Sequence, residues 1–115
     1  MRGVPHFNYP AFDKAAGMLR GLGHTVFSPA DHDRVKWGAE IGLSETGDVQ
    51  EITEQIGFDL RQAMIDDLTY VAFHADAVVL LPGWEDSDGA QAESMLALAL
   101  GKQVLEVGLF EEAAA

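Results

Sequence analysis

The 115-residue chain has the length of one domain, and its 48% hydrophobic content suffices for a core, with no apolar run long enough to span a bilayer. Seven basic residues against nineteen acidic ones give a formal charge of −12, which excludes wrapping a nucleic-acid polymer or docking on an anionic membrane but not holding one small nucleotide. With no cysteine there are no disulfides, Cys-zinc sites or thiol catalysis, and with no signal-peptide apolar region a cytoplasmic protein is expected.

Residues 10–22, PAFDKAAGMLRGL, carry apolar side chains at helical spacing, with Pro10 in a first-turn position and Gly21 and Gly23 as the stop. HTVFSP follows as a short strand over 24–27, ended by Ser28 and Pro29. Residues 30–50 lack a steady period and hold three glycines, so they read as a long irregular segment with room for a short helical turn, and 32–50 as a lid less ordered than the rest. From Val49 to His74 the period is helical again, with a break near Gly57. In ADAVVLLPG the unbroken apolar run from Ala77 to Leu81 predicts a strand at 77–81 buried on both faces. A helix over 89–100, stopped by Gly101, a strand at 103–107 and a short helical or frayed tail complete the chain. The alternation predicts a single α/β domain over 1–115, a three-layer αβα sandwich with a parallel, Rossmann-like (flavodoxin-like) sheet.

In such sheets ligands sit beyond the carboxyl ends of the strands, which singles out PGWEDSDGAQAES at 82–94. A purely structural account is available: Asp88 as N-cap, Gln91 completing a D-x-x-Q capping box, and the acids as loop punctuation. The functional account starts from the orphan N–H groups of the same helix start. They form an anion site, Gly89 lets a phosphate approach the backbone, and Ser87 adds a hydroxyl. Glu93 lies four residues after Gly89 on the same face, where a carboxylate could stabilise or attack a cationic sugar carbon.

The stretch ADAVVLLPGWEDSDGAQAESMLALALGKQVLEV resembles nucleoside 2-deoxyribosyltransferase-like proteins, in particular a small branch found in phages and bacteria. MRGVPHFNYPAFDKAAGMLRGLGHTVFSPA resembles the opening of the same branch, in which G-P-M-x-G precedes N-x-P-x-F. The resemblance implies cleavage of the N-glycosidic bond of nucleosides or nucleoside 5'-monophosphates, by hydrolysis or transfer, with Glu93 as nucleophile and no cofactor. It implies that Ser87 and Gly89 hold the phosphate and that Asp67, beside Asp66, assists near the base or sugar. Met1, Arg2 and Gly3 would form the first ligand loop, with Arg2 contacting phosphate or base. It also implies a homo-oligomer, and a central strand preceding the position of Met1. Glu85, Asp86 and Asp88 crowd the proposed phosphate end and would oppose an anion by a few kcal/mol unless they point outward or a cation intervenes.

Other candidates have a structural and a functional reading each. Trp84 could stack on a base and Trp37 could cap a lid, and either could be ordinary packing. Asp31, His32 and Asp33 could ligate a metal but read better as a solvated triplet. His74 suits a helix C-terminus, and His6 and Tyr9 flank the first loop, close enough to touch a base or only solvent. Two alternatives to an enzyme are a non-catalytic protein that senses or sequesters a nucleotide, and a scaffold domain for oligomer contacts.

Overall fold

The structure, a computed structural model, describes residues 4–114, and the chain divides into two compact units, Met1–Leu60 and Arg61–Ala115. The first unit opens with a tight turn at Pro5–Asn8 in which His6, Phe7 and Asn8 have φ of 57°, 51° and 61°. Left-handed backbone costs a non-glycine residue about 1–2 kcal/mol. Burial of Phe7 against the rings of Tyr9 and Phe58, at 6.0 and 6.3 Å, offsets that cost. Helix α1 (Tyr9–Gly21) follows, with Pro10 in its first turn, as its sequence predicts, and Ala16 and Leu19 on its buried face.

Residues 24–27 are not a strand: among the described residues they pair with no other strand, and the Val26 carbonyl accepts from Arg20 Nη2 at 3.1 Å. A strand needs a ladder partner as well as β-prone side chains, and pairing cannot be read from a six-residue stretch. Nor are residues 30–50 irregular. They hold α2 (Pro29–Trp37), a 3-10 turn at Ala39–Leu43 and the start of α3 (Val49–Ile56), and Ile41 is fully buried. Helix α2 escapes a periodicity search because the residue it buries beside Ala30 is an acid: Asp33 accepts a 2.6 Å hydrogen bond from the buried Tyr9 hydroxyl. The N-cap of α3 is Asp48, whose carboxylate accepts from the N–H groups of Gln50 and Glu51. The expected break falls at Gly57, which ends α3 at φ 76°, a conformation that favours glycine.

In the second unit, α4 (Leu60–Phe73) leads to β1 (Ala77–Leu80), then α5 (Asp88–Ala99), β2 (Gln103–Glu106) and α6 (Gly108–Ala114). β1 and β2 pair in parallel, with Ala77 opposite Gln103 and Leu80 opposite Glu106. Val71 of α4, Val78 and Leu80 of β1 and Ala97 of α5 form the buried cluster, with Trp84, Ala90, Leu96 and Val104 packed against it. Val78 and Leu80 are buried while Ala77 and Val79 are half-buried, so β1 is less enclosed than its continuous apolar run predicts. Lys102 Nζ donates to the carbonyls of Val71, Ala72 and Ala75 at 2.6, 3.1 and 2.7 Å, satisfying the end of α4. Mixed α/β structure is thus present among the described residues, mostly helical, with a small two-strand parallel sheet. No helix of the described residues is long and apolar enough to cross a membrane.

Candidate functional site

The loop leaving the carboxyl end of β1 turns at Gly83 and forms one 3-10 turn, Trp84–Asp86, before α5 begins. The N-cap of α5 is Ser87, not Asp88. Ser87 is extended at φ −104°, its Oγ accepts from the Ala90 N–H at 3.3 Å, and its carbonyl accepts from the Gln91 N–H at 2.9 Å. Ser and Asp are near-equal N-caps, so the choice rests on where the backbone leaves the helix. Gln91 serves the loop differently from a capping box: its side-chain amide donates to the Glu85 carbonyl. Asp88 becomes a first-turn acid, favourable to the helix dipole.

This cap leaves chemistry available. The Ser87 hydroxyl accepts one bond within the helix and keeps its hydrogen to donate outward. The Gly89 N–H belongs to the first turn, where helical geometry supplies no carbonyl. Glu85, Asp86 and Asp88 are all exposed, so water screens the three carboxylates at this end.

One turn deeper stands Glu93. Ala90, Glu93, Ser94 and Ala97 lie toward the inner side of α5, and Ser94 and Ala97 are buried there. Glu93 itself is half-buried, and loss of hydration pushes its carboxyl group up from 4.5 to about 7. At neutral pH the group is therefore present both as acid and as carboxylate. A helix carboxyl with that balance is suited to proton transfer or to attack on an electrophilic carbon.

The remaining candidates divide clearly. Ser87, Gly89 and Glu93 are brought together on one helix, with Trp84 in the turn before it. Asp67 is half-buried on α4 and, like Glu93, lies four residues before a member of the shared cluster, Val71 for one and Ala97 for the other. Its neighbour Asp66 accepts from Gln62 Nε2 at 2.7 Å. Arg2 and Gly3, with Met1, lie outside the described residues. In the first unit, Tyr9 is a core residue rather than a base contact, and His6 Nδ1 meets the Gly42 carbonyl at 2.9 Å. Trp37 packs edge-on to Phe58. Asp31, His32 and Asp33 turn to separate neighbours, Arg20, Phe27 and Tyr9, and no metal-binding group of three exists among the described residues. His74 stacks near Tyr70, while the end of α4 is held by Lys102 instead.

Sequence reasoning missed Lys102 and Glu106. Glu106, the last residue of β2, accepts from Trp84 Nε1 at 3.3 Å, and only the parallel register could have indicated it. No curated protein and no solved structure matches the chain. Residues 1–106 match the family described as a domain of unknown function, DUF4406, and the chain belongs to that family.

Proposed function

We propose that the protein is a nucleotide N-glycosidase or deoxyribosyltransferase-like enzyme, related to the nucleoside 2-deoxyribosyltransferases, that acts on nucleosides or nucleoside 5'-monophosphates. The observation that carries this reading is Glu93, a carboxyl group raised to about 7 by burial, one turn inside a helix that starts with Ser87 and Gly89. Four residues of helix advance about 6 Å. That span suits a pentose whose 5'-phosphate meets the Ser87 hydroxyl and the Gly89 N–H while C1' reaches Glu93.

In the reaction, the ionised Glu93 carboxylate bonds to C1' and the C1'–N bond breaks. The electron pair leaves with the base, which takes a proton from an acid; Asp67 is assigned that role. Water then attacks C1', Glu93 leaves as carboxylate, and the water proton returns to Asp67. A second base in place of water gives transfer. The transition state has oxocarbenium character, which a carboxylate in a dehydrated setting stabilises. The side chains supply nucleophile and acid, so the step needs neither metal nor organic cofactor.

The reading carries with it a three-layer, flavodoxin-like architecture, supported by a parallel strand pair joined through a helix. It also carries a homo-oligomeric, cytoplasmic protein; exposed Met95 and Leu98 on the outer side of α5 support self-association. Incubation with a panel of nucleosides and 5'-monophosphates, followed by chromatography for free base, tests it. Base release from at least one member is expected. Thermal stabilisation without base release would replace the enzyme with a nucleotide-sequestering protein, and neither result would leave only a scaffold.

A further inference from the structure

Trp84 is the first aromatic side chain past the carboxyl end of β1, and Glu106 is the last residue of the neighbouring strand. The pairing of Leu80 with Glu106 brings the two strand ends level, and the Val107 N–H donates to the Leu80 carbonyl at 2.9 Å, which fixes the end of β2 against β1. Across this junction the Trp84 indole N–H donates to Glu106 Oε1. The indole is half-buried and packs on the Val71, Val78, Leu80 and Ala97 cluster together with Ala90, which is one helical turn before Glu93 on the same side of α5. One part of the ring is thus anchored by packing and its polar edge by a carboxylate. Such a ring is a preorganised surface for a flat aromatic group.

We propose that Glu106 is a positioning residue that holds Trp84 as a stacking wall for the base, so that this site favours a base-bearing nucleotide over a base-free sugar phosphate. The inference rests on the nucleotide reading given above and deepens it: Ser87, Gly89 and Glu93 account for phosphate and sugar, and the Glu106–Trp84 pair accounts for the base. Stacking on an aromatic side chain is sequence-tolerant, because every base has a π-face, so the wall selects for the presence of a base rather than its identity.

The test uses the full chain with Trp37→Phe, which leaves Trp84 as the single tryptophan of the two present, and with Glu93→Gln, which prevents cleavage of dAMP during the titration. Binding of dAMP and of 2-deoxyribose 5-phosphate is titrated for this background, for Glu106→Ala and for Glu106→Gln, by Trp84 emission and by calorimetry. Quenching of Trp84 by dAMP is expected in the background. Glu106→Ala should weaken dAMP about tenfold and leave 2-deoxyribose 5-phosphate within about twofold, and Glu106→Gln, which keeps an acceptor oxygen, should restore most of the loss. Equal weakening of both ligands by Glu106→Ala, or failure of Glu106→Gln to recover dAMP binding, would overturn the positioning role while leaving the nucleotide reading intact. No binding of either ligand by the background protein would remove both.

Discussion

Replacing Glu93 by glutamine keeps the shape of the side chain and removes its charge, so it isolates what burying this carboxyl group costs the fold. A carboxyl raised from 4.5 to about 7 means that the folded chain holds the proton more tightly than the unfolded chain does. The associated stability is complete below about pH 4.5 and is lost as pH rises through about 7. At about 1.36 kcal/mol per pH unit the full loss is about 3 kcal/mol, of which about 2 kcal/mol falls between pH 5 and pH 8. The amide of the Glu93→Gln variant does not titrate, so the variant's stability is free of this dependence. Urea denaturation of both proteins at pH 5 and pH 8 measures the effect, and the double difference cancels every other titrating group. The advantage of Glu93→Gln over wild type should grow by about 2 kcal/mol from the lower to the higher pH. An advantage constant to within about 0.5 kcal/mol would show that Glu93 is not desolvated, and the reasoning from burial would fail.

The pH dependence of turnover should run the other way: kcat/KM for a monophosphate should rise with pH through about 7 as Glu93 ionises, and a profile flat from about pH 5.5 to 8.5 would contradict a Glu93 nucleophile. Ser87→Ala removes the N-cap of α5 and should cost about 1 kcal/mol in denaturant melts while weakening a monophosphate more than the matching nucleoside. Lys102→Met strips three carbonyls at the end of α4 of their donor and should lower stability by about 2 kcal/mol, measured by the same melts; a neutral result would mean that water replaces the ammonium without loss.

Much of the second unit is legible in the sequence because its signals are local. The apolar run before Pro82, the glycine stop at Gly101 and the second short strand each report on a few adjacent residues, and β1, α5 and β2 lie where those residues indicate. The first unit hides its order in long-range polar contacts. Asp33 looks like a surface acid until the Tyr9 hydroxyl, 24 residues away, is found against it, and α2 is unreadable without that pair. The stretch at 24–27 has the composition of a strand, but a ladder is a property of two segments. At the site, Glu93 stands out by spacing from Gly89, and the capping residue is displaced by one because Ser and Asp compete nearly evenly for that role. Glu106 and Lys102 could not be singled out, since each acts on a neighbour brought close only by the strand pairing or by the end of α4.

Free-base release by wild type and by Glu93→Gln under identical conditions decides whether Glu93 is the carboxylate that meets the sugar. Base release is expected from wild type with its best monophosphate, with a fall of about a thousandfold or more in Glu93→Gln and retained monophosphate binding through Ser87 and the start of α5. Turnover by Glu93→Gln at the wild-type rate would contradict that role.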